Sequence, residues 1–406
     1  MVSLDHQIEN MTEKLLSIVV PTKNRYFYLK YLVTYFNQIK DLGIELIIQD
    51  NSDELEDQPD FKNFLENLDD PRIIYSFIEE GLSVIDNSDE ALLKASGEYV
   101  TFIGDDDIFS HHLISFLKEA KAKNISAILP EKSSYSWPDI TSRFYGNKLS
   151  GKFTQTKISG EKKIISTSEE LDKVLELGGT EILELPRVYH GIVKRSILQQ
   201  IYEDTGSYFP GPSPDMANAV AICNYLDKLL VIDIPLVISG HSKKSGGGLG
   251  VSGKHLGEIS DFKHLPKETA GNWTKEVPMY WSGYTIYAES AIQALKRLNL
   301  ADKLLKLNYN FLYATCLVFD THYKERIIKT INSSVEKKIG VSKIKINFLY
   351  IKVWLKRISY HLKSNMRYIF KDGTNGSVFE KGDIYDVAIL NDQMIENYLN
   401  SNMTFL

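Results

Sequence analysis

Three acids in a row, Asp105, Asp106 and Asp107, follow Gly104 at the end of an apolar run over 98–103. Adjacent carboxylates repel one another and gain little from burial unless a cation or a strong set of donors compensates them. A hard divalent ion, Mn²⁺ or Mg²⁺, is the natural compensator, because it takes one or two protein carboxylates and fills its other positions with water and phosphate oxygens. Two further polar stretches end apolar runs in the same way: Pro21-Thr22-Lys23-Asn24-Arg25 and Asp50-Asn51-Ser52-Asp53. Helix caps and turns favour the same residue types, so each stretch alone has a plain structural reading. The stiff turn Gly211-Pro212-Ser213-Pro214-Asp215 delivers another acid to the start of a helical pattern. There it could act as a base or simply face the helix macrodipole. The loop over 240–255 puts His241, Lys243 and Lys244 beside a glycine run. Such a loop suits closure over a diphosphate, and equally suits a flexible linker.

The surrounding pattern says what must position these groups. The β-branched run 16–20 predicts a strand buried on both faces, the three- and four-residue spacing of Tyr28, Leu32, Tyr35, Phe36 and Ile39 a helix over 25–39, and 44–48 a second strand. Strands over 72–77, 98–103 and 125–129 alternate with helices over 85–95 and 113–122, which implies an α/β fold with a mostly parallel sheet sandwiched by helices. In such sheets ligands collect beyond the carboxyl ends of the strands, where the three polar stretches lie. After Pro130 the rhythm changes to an aromatic and polar excursion. Helices return over 168–177 and 215–226, a strand follows over 229–238, and beyond about 270 the pattern is helical.

Taken together, LSIVVPTKNR, ELIIQDNSD and ASGEYVTFIGDDD resemble the signature of inverting GT-A-fold glycosyltransferases of family 2, over roughly residues 16–255. The resemblance implies a GT-A-like catalytic domain over 1–265 with a C-terminal helical extension over 266–406. It implies a nucleotide-diphosphate sugar donor, UDP-linked, and a saccharide or lipid-linked saccharide acceptor in surface polysaccharide synthesis. It places Pro21, Thr22, Asn24 and Arg25 along the nucleotide and Asp50 on the base or ribose. Two registers of the acidic motif stay open. Ile108-Phe109 favour Asp106 on the metal and Asp105 on the ribose, while the intact Asp-any-Asp register puts Asp107 on the metal. His241 resembles a late histidine that completes the metal or diphosphate site, with Lys243 and Lys244 offsetting charge on the leaving nucleotide. Asp215 resembles the catalytic base, and Glu203 and Asp204 are weaker substitutes for it. His190 reads as a core or acceptor-side histidine. The glycine-rich pyrophosphate loop of a sugar-1-phosphate nucleotidyltransferase is missing from PTKNR, and a scaffold that binds nucleotide sugars without turnover has no need of both the acidic turn and Asp215.

Composition bounds the remaining classes. With 43% hydrophobic and 25% charged residues the chain is globular rather than disordered, and a net charge of −6 argues against wholesale nucleic-acid binding. Cys223 and Cys316 both lie in apolar runs, which points to neither a disulfide framework nor a thiolate metal site. The acidic residues of the first sixteen positions do not fit a signal peptide, so a cytoplasmic protein is expected. Residues 341–371 carry eight basic side chains and no acid. On a helix, Ile344, Phe348, Ile351, Leu355, Ile358, Leu362, Met366 and Ile369 fall within an arc of about 80°, with lysines on another face. This predicts either a packed helix or one lying on the anionic inner surface of a membrane.

Overall fold

The computed structural model describes residues 14–141, 146–245, 256–337, 340–370, 378–380 and 382–402. Its centre is a parallel sheet of β1 (Leu16–Thr22), β2 (Ile44–Asp50), β3 (Ile73–Phe77) and β4 (Tyr99–Phe102), in the order β3-β2-β1-β4. Helices α1 (Tyr26–Gln38), α2 (Gln58–Leu68) and α3 (Val84–Leu92) make the crossovers. The runs of β1 and β2 are buried almost throughout because both faces are covered by helices. Registry pairs Thr22 with Asp50 and Val19 with Phe102, so the carboxyl ends of β1, β2 and β4 open on one edge.

Beyond β4 the parallel pattern gives way to a mixed sheet. Short β9 (Ile192–Lys194) runs antiparallel to both β4 and β6 (Ala127–Ser136), lying between them. Three residues with no period of their own could not announce this strand. The polar excursion after Pro130 is the second half of β6 together with β7 (Lys152–Thr154) and β8 (Lys162–Ser166). The long β10 (Lys228–His241) runs parallel to β6, with irregularities around Pro235. It also pairs antiparallel with β5 (Ile108–Phe109), which clips the chain just after the acidic turn to the strand that ends in Gly240-His241.

Helix α4 (His112–Ala122) follows β5, while α5 (Thr167–Glu176), α6 (Arg195–Thr205) and α7 (Pro214–Ile222) cover the far part of the sheet. The C-terminal helices are α8 (Gly283–Arg297), α9 (Tyr309–Phe319), α10 (Lys324–Glu336), α11 (Lys343–Phe370) and α12 (Ile384–Asn402), and β11 (Val378–Glu380) adds an edge strand beside β7. One apolar core unites α5 and α7 with α8, α9 and α10 through Leu175, Met216, Ala291 and Tyr313. The sheet core is closed by α12, whose Ile384, Val387 and Ile395 pack with residues of β1, α1 and α4.

Helix α11 presents two apolar faces. Ile346 and Val353 are buried and Leu349 is half-buried, with Val353 and Leu349 packing against Phe311 and Val318 of α9. The arc read from the sequence faces outward instead: Ile344 is 83% exposed, Phe348 70%, Ile351 57% and Leu355 54%. The side chains of Leu362, Met366 and Ile369 lie outside the described residues.

The loop that leads into α7 is held by Asp89 of α3, which accepts the Tyr208 N–H at 2.8 Å. Burial raises the Asp89 carboxyl to about 6. A carboxyl whose folded pKa exceeds its unfolded value of about 3.9 favours folding below that value, and the contribution is lost as pH rises through 6. Asp89→Asn keeps the acceptor and removes the ionisation, so it should flatten the fall in stability between pH 5 and 8 by on the order of 2 kcal/mol. Urea midpoints at the two pH values measure this, and an equal fall in both proteins would refute it.

Candidate active site

The acidic turn is buried, each of its three carboxylate residues being 2–3% exposed. It is held by donors from several elements. At the end of β1, the Thr22 hydroxyl donates to Asp105 Oδ2 at 2.6 Å. Just before α1, the Arg25 guanidinium bridges Asp105 at 2.7 Å and Asp106 at 2.5 Å, and also donates to Ser242 Oγ at 3.2 Å. Asp106 Oδ2 accepts the Ser242 N–H at 2.9 Å, and its backbone carbonyl accepts the Trp137 indole N–H at 3.0 Å. Asp107 accepts the N–H of Gly104 and of Gly240 at 2.7 Å each, and its Oδ2 lies 2.6 Å from His190 Nε2.

These partners set the charges. Burial raises the Asp105 carboxyl, and the Arg25 charge opposes that only in part. Burial works against charge on Asp107 too, but His190 and the two amides outweigh it and hold the carboxyl below the usual range. Burial disfavours the Arg25 cation as well, yet Asp105 and Asp106 raise its pKa above the usual value. Within the turn, Asp105 Oδ1 has the ionic contact with Arg25 and no hydrogen-bond donor.

Asp215 is linked to this centre through His190, whose charge it feels and whose ring bonds Asp107. Pro214 opens α7, the favoured place for a residue without an N–H, and the preceding Ser213 N–H donates to Ser290 Oγ at 2.8 Å. One turn further on, Asn218 accepts the Val188 N–H at 3.0 Å and donates to the Tyr208 carbonyl at 3.0 Å. This ties the segment 187–190 to α7. The same segment is tied to β4 by exchange of backbone bonds between Phe102 and Val188 and His190, both at 3.0 Å. His190 takes a positive φ of 58° there, so its ring is set between the acidic turn and Asp215.

Burial raises the Asp215 carboxyl, and His190, Arg187 and Lys132 offset it in part. The Tyr287 hydroxyl lies 3.5 Å from Asp215 Oδ2, and Lys132 Nζ lies 3.4 Å from His190 Nδ1. Burial lowers the pKa of both Lys132 and Arg187. A raised carboxyl facing cations can take a proton from a hydroxyl and share the resulting charge change with its neighbours.

The structure therefore brings Thr22, Arg25, Asp105, Asp106, Asp107, Asp215 and His241 into one region. Other residues singled out from the sequence have different tasks. Asp50 is a fully buried brace: Oδ1 accepts the Ser52 N–H and hydroxyl, and Oδ2 accepts the Tyr26 and Tyr75 hydroxyls. Both oxygens are engaged within the protein. Asn24, at φ 59°, donates to Asp53 and accepts the N–H groups of Asp53 and Glu54, locking two strand-end loops together. Pro21 is half-buried beside them. Lys244 pairs with Glu54 at 3.1 Å, and Lys243 is exposed with its N–H on Asp139. Residues 246–255 of the glycine-rich loop lie outside the described residues. Glu203 and Asp204 are exposed on α6, away from this cluster. Lys132, Arg187 and Tyr287 carry no motif in the sequence and enter only through tertiary pairing.

For a divalent ion the turn fits through one residue. Asp106 offers hard oxygen donors, and three buried carboxylates against one guanidinium leave surplus negative charge with Asp105 Oδ1 short of a donor. Asp107 is the more fully committed, its oxygens taken by backbone amides and His190, whereas on Asp106 the Arg25 contact to Oδ1 is one an ion can replace. Asp106, Asp107 and His241 do not converge as a three-ligand cluster among the described residues. Burial lowers the His241 pKa, keeping its ring neutral and able to act as a ligand.

Residues 17–166 match the family model described as Glycosyl transferase family 2. The match spans β1 to β8 and so takes in the acidic turn; over that stretch the chain is similar to family 2 glycosyltransferases. Among solved structures it is similar to S. aureus TarS 1-349 in complex with UDP-GlcNAc, at 13% identity and a TM-score of 0.47, covering 80% of this chain and 92% of that one. The complex of the same protein with UDP gives 13% identity, the same coverages and a TM-score of 0.44. The longer S. aureus TarS structure gives 13% identity and 0.42, covering 78% of this chain and 54% of that one. No curated protein matches the chain.

Gly240 is required by close approach: a Cβ there would stand 1.7 Å from the Asp106 carbonyl oxygen. Gly240→Ala must push β10 away from the acidic turn, costing about 1–3 kcal/mol and weakening nucleoside diphosphate binding. Thermal unfolding and calorimetric titration with UDP test this, and wild-type values in both would show that the turn does not depend on this contact.

Proposed function

We propose that the chain transfers a sugar from a nucleotide-diphosphate sugar to a hydroxyl of a saccharide or lipid-linked acceptor, with inversion at the anomeric carbon. The observation that supports this best is the pairing of a buried acidic turn with the buried carboxylate of Asp215 across His190. Inversion needs a base on the face opposite the departing diphosphate. In this reading Asp215 accepts the acceptor proton, its raised pKa making it a stronger base than an exposed carboxylate. Lys132, Arg187 and His190 keep it from being neutralised outright. Thr22 and Arg25 hold Asp105 and Asp106 in place, and Arg25 stands ready to move its charge toward the diphosphate as the donor enters.

Asp106 would hold Mn²⁺ or Mg²⁺, with His241 beside it, and the ion would supply charge neutralisation for the leaving diphosphate. Asp215→Asn should lower kcat by about 10²–10⁴-fold while leaving donor affinity near wild type. Chelation should abolish turnover and added Mn²⁺ restore it. A UDP-sugar series carrying a labelled sugar is the first assay. Undiminished turnover in Asp215→Asn would remove that residue from the mechanism, and activity surviving exhaustive chelation would remove the ion.

The outward face of α11 supports a peripheral membrane site for this reaction. Ile344, Phe348, Ile351 and Leu355 form an exposed apolar edge on a helix that also displays Lys345, Lys352 and Lys356. Anionic headgroups complement those lysines while the apolar edge enters the acyl boundary. Among the described residues no helix is long and apolar enough to cross a membrane. Vesicles containing anionic lipid should carry the full chain in flotation, and Phe348→Asp with Ile351→Asp should abolish this without changing the unfolding temperature. Equal flotation of variant and wild type would rule out this face.

A further inference from the structure

A second set of metal-ligating side chains lies at the junction of α4 and α12. His111 and His112 follow β5 directly, and Asp392 comes from the middle of α12, 281 positions after His111. One ligand atom from each of the three lies within 4.8 Å of the others, a convergence no other trio of His, Cys, Asp or Glu attains among the described residues. We propose that His111, His112 and Asp392 bind a borderline divalent transition ion, Zn²⁺ by class, which staples α12 to the start of α4.

The donor chemistry selects the metal. Two imidazoles and one carboxylate suit Zn²⁺, whereas Mg²⁺ and Mn²⁺ favour oxygen sets such as the acidic turn. The geometry is nearly assembled: His111 Nδ1 stands 2.7 Å from Asp392 Oδ2, His112 Nε2 stands 3.2 Å from the Asp392 carbonyl oxygen, and the two rings are 4.2 Å apart. Ligands of a tetrahedral Zn²⁺ at about 2.0–2.1 Å sit roughly 3.3 Å from one another, so the ion replaces the proton shared by His111 and Asp392 after a shift of about half an ångström.

The surrounding shell is the kind that orients a metal ligand. Asp392 is 4% exposed, and its carboxylate accepts the hydroxyls of Ser110 and Tyr35. The Tyr35 oxygen in turn accepts the His111 N–H at 2.9 Å, so the ligand from α12 and the chain carrying both histidines are aligned by one side chain of α1. Access is open, because the His111 side chain is half-exposed at the rim of a groove of about 420 Å³ lined by Tyr35, Gln38, His111, Asp392, Gln393 and Glu396. Glu396 lies one helical turn beyond Asp392 and lines the same groove, leaving the fourth position of the ion to water.

The test uses the full chain stripped of metal by chelator and titrated with Zn²⁺ against a chromophoric competitor, and with Co²⁺ followed by its visible absorption. One equivalent should bind in an Asp106→Asn background, which separates this site from the ion of the active site. That separation keeps the result independent of the proposed glycosyl transfer. His111→Ala and His112→Ala should each weaken binding at least tenfold, and Zn²⁺ should raise the unfolding temperature of the parent but not of the double variant. Both histidines lie at the surface end of α4, so the variants fold. Absence of a stoichiometric equivalent, or the same affinity in the double variant, overturns the proposal.

Discussion

Three neighbouring carboxylates buried at the end of β4 are the constraint around which the molecule is arranged. A buried charge without partners costs several kcal/mol, so the turn persists only because donors reach it from β1, from the start of α1, from β10 and from the segment before β9. Apart from Gly104 within the turn, these donors come from three separate stretches of chain, 22–25, 190 and 240–242. Burying the acids therefore obliges the chain to bring these strand ends to one edge, the edge where open α/β sheets collect their ligands.

The division among the three acids follows from their partners rather than from their order. Asp107 is neutralised by two amides and a histidine and becomes part of the scaffold, which leaves Asp105 and Asp106 to share one guanidinium. The negative charge left uncompensated is thereby concentrated at the two acids nearest the β1 and β10 ends. His190 is the hinge between this centre and Asp215. Because Asn218 sits on the same helix as Asp215 and holds Val188, a shift of α7 would move the histidine as well as Asp215. The two halves of the site are positioned by one helix.

Where residues carry local information, the sequence disclosed them well. The buried runs of β1 and β2, the helix after PTKNR, the acidic turn and the proline-held Asp215 are all patterns whose meaning depends on near neighbours. Asp50 shows the limit. Its place at a strand end is legible, but its saturation by Tyr26 and Tyr75 depends on α1 and on β3 converging upon it. Lys132 and Arg187 have no pattern because only the folded sheet brings β6 and the segment before β9 to Asp215. The stripe on α11 was legible as a stripe, yet which of two apolar faces meets α9 is decided by the shape of α9.

The C-terminal helices show how one chain can use apolar residues for two ends. Helix α12 gives its apolar side to the sheet core and joins it through Asp392, so its loss would expose Tyr35, Phe109 and the strand beneath the acidic turn. Helix α11 needs only Ile346, Leu349 and Val353 to dock, and keeps a second apolar edge flanked by lysines in solvent. Exposing such an edge is unfavourable in water, by roughly 25 cal/mol for each Å². That cost is tolerable in a free protein and is recovered when a surface of matching chemistry covers the edge.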